Sequence, residues 1–162
     1  MLKKLLNIKS KLMGGNDITR DTKMTIARST YNAIKRTVGS KPPETGGIIY
    51  GLRKDGIILK FVFDAEATVT GSTYTFNHRF INEMNKALWK QEGLQLIGFL
   101  HSHPDNHNHP SSPDMQYFAS QFANIYVDKF LIPIIRSGYN ACEFKIFPFI
   151  VYKDDPYNFH EV

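Results

Sequence analysis

The segment from residue 101 to residue 114, HSHPDNHNHPSSPD, concentrates side chains that bind metals and transfer protons, with four histidines and two aspartates. His101 and His103 end a short apolar stretch, LQLIGFLHSH (94–103), which predicts a central β-strand. Because a strand places residues i and i+2 on the same face, the two imidazoles are expected to point the same way. That arrangement suits two ligands of one Zn²⁺ ion, and Asp114, in the first turn of the following helix, is a candidate oxygen ligand.

Two histidines and one carboxylate would leave a fourth tetrahedral position for water, as in catalytic zinc sites, so the pattern predicts one Zn²⁺ per chain with a bound water. Other interpretations fit the same spacing. An aspartate near a helix N-terminus is stabilised by the helix dipole without a metal, and a histidine at a strand end is often a structural residue. His107 and His109 repeat the His-x-His spacing, but they lie in a loop between prolines that does not fix their register. We expect these two to be solvated or near the rim of the site.

Hydrolysis at a zinc ion also needs a base that does not bind the metal and a donor that stabilises the developing oxyanion. Glu44, at the entry to an apolar strand pattern, is a candidate base, and Ser111 is a candidate donor. By spacing alone, however, Glu44 fits a surface glutamate at least as well.

The elements that must position these residues follow from the periodicity of the chain. Phe80, Met84 and Leu88 recur at helical spacing and predict a core-facing stripe. A helix is expected to start at SSPD, with serine as N-cap and Pro113 in the first turn. The other predicted elements are a short strand at 23–27, a helix to about residue 38, a hairpin of 45–52 with 57–64, a helix from 77 to about 91, and two final strands, FLIPIIRS and EFKIFPFIVY. The fold class is therefore α+β, a single domain with one mixed β-sheet flanked by helices.

Composition limits the classes of function. The chain has 162 residues, of which 42% are hydrophobic and 22% charged, so it is expected to be globular. Its one cysteine, Cys142, cannot form an internal disulfide and lies in an apolar pattern, which predicts a buried, inert thiol and a reducing, cytoplasmic location.

The net charge of +5 arises mainly near the N-terminus, where residues 1–23 carry six basic and two acidic side chains. The body lacks a basic stripe interleaved with aromatic residues, so nucleic-acid binding is not expected. Residues 1–21 predict a basic amphipathic extension that packs on the domain or on a partner. Its apolar positions are interrupted by lysine, and no transmembrane run occurs, so membrane contact is not expected.

The pattern His-x-His-Pro, then six residues, then Ser-x-x-Asp (101–114) resembles the motif of the JAMM/MPN+ metalloproteases, and the upstream ETGGIIYG segment (44–51) is similar to the same family. The chain looks like a small prokaryotic JAB-type member, with a likeness over roughly residues 22–152 and a domain over 22–162. The resemblance implies a curved mixed sheet in a three-layer sandwich. It also implies that His101, His103 and Asp114 bind zinc, that Glu44 is the general acid/base, and that Ser111 steadies the oxyanion and the bound water.

The same resemblance implies a peptidase or isopeptidase that cleaves after the C-terminal glycine of a ubiquitin-like protein, free or conjugated. Bacterial relatives lie beside E1- and E2-like enzymes in anti-phage operons, which would then be partners. Sulfur-carrier processing and phage-tail peptidase activity are enzymatic alternatives, and a binding module stabilised by its metal is the non-enzymatic one. The segment DNHNHP (105–110) differs from the corresponding segment of the eukaryotic deubiquitinases. Because the chain is short, the candidate substrate contacts are residues 65–76 and the residues after Asp114.

Overall fold

The computed structural model describes residues 21, 23–54, 56–70, 73–104, 106–139 and 143–162. Nearly all of the predicted N-terminal extension (1–21) and Cys142 lie outside the described residues. Within them, the strands are β1 (Thr25–Ile26), β2 (Gly46–Leu52), β3 (Ile57–Phe63), β4 (Thr68–Thr70), β5 (Thr73–Thr75), β6 (Gln95–His103), β7 (Lys129–Leu131), β8 (Ile134–Arg136), β9 (Lys145–Phe147), β10 (Phe149–Tyr152) and β11 (Asp155–Glu161); the α-helices are α1 (Arg28–Arg36), α2 (His78–Glu92) and α3 (Ser112–Gln121).

One mixed sheet organises the described part of the chain, in the order β1-β3-β2-β6-β7-β10-β11. β2 and β3 form the predicted antiparallel hairpin, and β6 lies in the middle of the sheet, antiparallel to β2 and parallel to β7 and β8. β8 pairs with the C-terminal part of β6 and carries β9, while β4 and β5 form a separate two-stranded ribbon. The predicted α+β class with a curved mixed sheet is confirmed.

Side chains that alternate along the strands pack into two separate buried hydrophobic clusters, one on each face of the sheet. In β2, Ile48 packs on the side of α2 and α3, whereas Ile49 packs on the side of α1. The helices therefore cover both faces of the sheet, in three layers. Of the predicted stripe on α2, Leu88 is fully packed in the core, and Phe80 and Met84 are half-buried against it. None of the helices in the described ranges is both long enough and apolar enough to cross a bilayer.

The C-terminal third differs from the sequence prediction, because each of the two predicted final strands is interrupted by a proline. Pro133 separates β7 from β8, and Pro148 separates β9 from β10. Proline has no N–H to donate to a ladder, so the chain changes partner at each of these points. β6 accordingly pairs first with β7 through Gly98 and Leu131, then with β8 from His101 onward. β11 and the β4–β5 ribbon were not predicted.

Candidate metal centre

His101 and His103 occupy the C-terminal end of β6 and lie on one face of it, as strand alternation requires. Both are buried, with only 1% and 5% of their surface exposed. Their Nε2 atoms are 2.7 Å apart. The His101 ring stacks on Tyr74, with the ring planes 10° apart. The His101 Nδ1 atom has no hydrogen-bond partner among the described residues, so packing rather than a second hydrogen bond orients this imidazole.

Asp114 reaches the same point from the first turn of α3. Its Oδ1 lies 3.2 Å from Nε2 of His101, and its Oδ2 lies 3.1 Å from Nε2 of His103. Ser111 is the N-cap, as predicted, and forms a capping box with Asp114. The Ser111 backbone N–H and hydroxyl each donate to Asp114 Oδ2 at 2.7 Å. The start of the helix therefore places the carboxylate against both imidazoles.

The geometry of these three side chains fits a zinc ion. Ligand atoms about 2.0–2.1 Å from one tetrahedral zinc lie about 3.3 Å from each other. The contacts of Asp114, at 3.1 and 3.2 Å, are close to that value. The two Nε2 atoms, at 2.7 Å, would need to separate by about 0.6 Å to accommodate the ion. The donor set, two imidazole nitrogens and one carboxylate, is also one that zinc prefers.

Glu44 joins the cluster through the register between β2 and β6. Gly46 pairs with His101, and the Ser102 N–H donates to the Thr45 carbonyl at 2.8 Å, so the pairing continues beyond β2 and sets Glu44 opposite His103. The side chain of Glu44 is buried, and its carboxylate and the two imidazoles have ligand atoms within 4.8 Å of one another. These three residues therefore form a group that could hold a metal, with Asp114 as a second nearby carboxylate.

The two carboxylates differ in basicity. Burial raises the pKa of Glu44 above its ordinary value, the nearby Asp114 raises it too, and the two imidazoles oppose the shift only in part. Burial also acts to raise the pKa of Asp114, but hydrogen bonds and charge from His101 and His103, with the hydrogen bond from Ser111, hold that pKa well below its usual range. Of the two carboxylates, Glu44 is therefore the more basic one.

A cavity of 410 Å³ opens directly onto the cluster. Glu44, His103 and Asp114 lie on one side of it. Its aromatic walls include Tyr74 from the β4–β5 ribbon and Tyr117 from α3. Both walls fall within the segments predicted from the sequence as candidate substrate contacts, 65–76 and the residues after Asp114.

The side chains of His107 and His109 are exposed, in agreement with their predicted place at the rim. His107 lines the cavity. The His109 ring stacks on Phe159 of β11, and its Nδ1 lies 3.0 Å from the Pro110 carbonyl oxygen.

The structure thus brings together all five residues singled out in the sequence: Glu44, His101, His103, Ser111 and Asp114. It also reveals neighbours that sequence reasoning missed. The most informative are Gly46, which lies against His101, and Ser102, whose hydroxyl contacts Thr45. The sequence places Ser102 between the two histidines, but its contact with Thr45 becomes apparent only from the pairing of β6 with β2.

The chain is similar to known proteins in sequence and in fold. The sequence-family model that describes the prokaryotic homologues of the JAB domain matches residues 29–145 of this chain. The chain is similar to a solution structure from Desulfitobacterium hafniense, with a TM-score of 0.65 and 16% identity over 86% of this chain and 90% of that one. It is also similar to a solution structure from Salinibacter ruber, with a TM-score of 0.55 and 21% identity over 86% and 88% of the two chains.

A crystal structure of a JAB1/MPN domain protein from Archaeoglobus fulgidus aligns at a TM-score of 0.44 and 20% identity, over 77% of this chain and 89% of that one. None of the curated proteins matches the chain in sequence. At their identities the two solution structures support the fold alone, whereas the family model spans well over half of the chain. The chain therefore belongs to the prokaryotic homologues of the JAB domain.

Proposed function

We propose that this protein is a zinc-dependent peptidase or isopeptidase. The observation that carries the proposal is the convergence of His101, His103 and Asp114 on one point, with the Glu44 carboxylate beside them. The described residues donate no hydrogen bond to that carboxylate. A metal-binding set with a free, buried carboxylate next to it is what hydrolysis of a peptide bond requires.

Each residue has a distinct part in the proposed reaction. His101, His103 and Asp114 would hold the zinc ion, which supplies Lewis acidity toward a water molecule and the substrate carbonyl. Glu44 takes a proton from the attacking water onto its carboxylate and delivers it to the nitrogen of the leaving amine. Its raised pKa suits both transfers, because a base must bind the proton firmly enough to carry it.

Ser111 is hydrogen-bonded to the proposed metal ligand Asp114 in this structure. Its hydroxyl hydrogen points to Asp114 Oδ2, so donation to the oxyanion requires that bond to be released or shared. We propose that Ser111 orients Asp114 in the resting protein and turns toward the oxyanion during the reaction.

For the substrate, we propose the C-terminal tail of a ubiquitin-like protein, either conjugated to a target or in precursor form. The support is the resemblance of the motif, together with a cavity whose aromatic walls run beside the metal ligands. E1- and E2-like enzymes of the same operon would then be partners in a bacterial conjugation system with an anti-phage role, in the cytoplasm. Sulfur-carrier processing and phage-tail peptidase activity are the alternative uses of the same chemistry.

The test is cleavage of ubiquitin-like proteins fused through a C-terminal glycine to a reporter, using zinc-loaded protein. Glu44→Gln should keep about one zinc per chain and the wild-type melting temperature, yet lower kcat by at least about 10²-fold. Glu83→Gln is the control, since Glu83 is exposed and pairs with Arg79 on the surface of α2. Full activity of Glu44→Gln would remove the proposed base. Zinc binding with no cleavage of any fusion, and unfolding upon chelation, would favour the metal-stabilised binding module instead.

A further inference from the structure

Ser102 lies between the two histidines but faces the other side of β6, and it is completely buried. Its hydroxyl oxygen accepts a hydrogen bond from the Thr45 N–H at 3.1 Å. The same hydroxyl donates to the Thr45 carbonyl at 3.3 Å, and the Ser102 N–H donates to that carbonyl at 2.8 Å. One residue of β6 thus holds both backbone polar groups of Thr45.

The contact replaces part of an ordinary strand ladder. In an antiparallel hydrogen-bonded pair, the two residues exchange N–H···O=C bonds in both directions. Here one of the two bonds runs to a side-chain hydroxyl rather than to the Ser102 carbonyl, while the other is retained. The link between these two strand ends therefore depends on the side chain at position 102 and not on the backbone alone.

Thr45 follows Glu44 directly, and the bonded Thr45 N–H belongs to the peptide group that joins the two residues. Since the described residues donate no hydrogen bond to the Glu44 carboxylate, the position of this buried side chain depends on its packing and on the backbone that carries it. The backbone of the neighbouring Gly46 packs directly against Leu100 and His101, with no room for a Cβ atom, so the two strands are closely apposed beside the first histidine. A change in the Thr45 peptide would thus be transmitted to the distance between Glu44 and the imidazoles.

We propose that Ser102 is a positioning residue: its hydroxyl fixes the Glu44–Thr45 peptide and so holds the Glu44 carboxylate at working distance from the metal ligands. This inference rests on the proposed peptidase function. It assigns a purpose to the middle residue of the His-Ser-His segment, which contacts neither the metal position nor the cavity. Alanine at this position would leave the Thr45 N–H without its acceptor and free the peptide to rotate.

The experiment compares Ser102→Ala with Ser137→Ala in the zinc-loaded full chain. Ser137 is a matched control, because it is also buried and its hydroxyl also bonds to backbone, at Gly39 and Lys41, away from Thr45. Hydrogen exchange of the Thr45 amide, zinc content, melting temperature, kcat and KM are measured for both variants. Ser102→Thr, which keeps the hydroxyl, is the third variant.

Ser102→Ala should exchange the Thr45 amide about tenfold faster or more, and should lower kcat about 10–100-fold with little change in KM or zinc content. Ser137→Ala should lose stability without either effect. In all three variants, a lower kcat should accompany faster exchange of the Thr45 amide, and an unchanged kcat should accompany unchanged exchange. Fast exchange with unchanged kcat would overturn the inference while leaving the peptidase intact. A wild-type protein that cleaves nothing would instead overturn the proposed function and this inference with it.

Discussion

Replacement of Gly46 by alanine provides a direct perturbation of the metal centre from a residue that holds no metal. Gly46 is paired with His101 across β2 and β6. A Cβ atom added at Gly46 would lie 2.3 Å from the Leu100 carbonyl oxygen and 2.6 Å from the His101 Cβ. Ordinary contacts between heavy atoms begin at about 3.5 Å, so the two strands must move apart by about 1 Å at the position of the first histidine.

The expected cost follows from that displacement. Overpacking of this kind destabilises a fold by about 1–3 kcal/mol, which for a chain of this size lowers the melting temperature by roughly 2–12 °C. A shift of about 1 Å between catalytic groups costs about 10²-fold in rate. Gly46→Ala should therefore weaken zinc binding in a chelator competition, and should lower kcat/KM about 100-fold per folded molecule.

Gly51→Ala is the matched control, at the other end of the same strand. Its Cβ would lie 2.1 Å from the Ile57 carbonyl oxygen and 2.8 Å from the Ile97 Cδ1, which is a comparable clash away from the histidines. It should lower the melting temperature to a similar extent but keep zinc affinity and kcat/KM near wild type. If Gly46→Ala is destabilised like Gly51→Ala yet retains wild-type zinc affinity and activity, Gly46 does not control the geometry of the metal centre.

Three further predictions follow from other contacts at the site. Ser111→Ala removes the N-cap and a hydrogen bond to Asp114, so it should cost about 0.5–2 kcal/mol in thermal or denaturant unfolding and weaken zinc binding about 10–100-fold; unchanged zinc affinity would contradict the proposed support of the ligand. His101→Ala should lose zinc in metal analysis, whereas His107→Ala should keep it; zinc loss in the second variant would show that the rim histidine is a ligand. The buried Asp64 carboxylate accepts hydrogen bonds from the Glu66 and Asn77 backbone amides, which flank the β4–β5 ribbon that forms one wall of the cavity. Asp64→Asn should therefore speed hydrogen exchange of these two amides and raise KM more than it lowers kcat. A pure loss of kcat would argue against a role of this wall in substrate binding.

Much of the centre could be predicted from the sequence because local rules place its residues. Strand alternation puts His101 and His103 on one face, and the preference of serine for an N-cap places Asp114 in the first helical turn. Glu44 could not be placed in this way, because its position depends on the register between two strands more than fifty residues apart in sequence. Only the resemblance to a family singled it out from the other glutamates.

The C-terminal part of the sheet was harder to predict for a related reason. Pro133 and Pro148 are visible in the sequence, and each interrupts a ladder, but nothing local indicates which strand the chain pairs with next. β11, DPYNFHE, has too few apolar residues for the alternation that marks a half-buried strand, and its pairing with β10 forms it. The β4–β5 ribbon is short and threonine-rich, so no buried stripe distinguishes it from a loop.

The most direct test of the central claim is the coordination of zinc in the loaded protein, determined from a crystal structure with anomalous scattering at the zinc edge. We expect about one zinc per chain, bound by His101, His103 and Asp114, with the fourth position open to solvent and the Glu44 carboxylate nearby but outside the coordination shell. Direct coordination of the zinc ion by Glu44 would contradict this expectation. So would a fully occupied zinc site elsewhere in the protein with no zinc at this cluster.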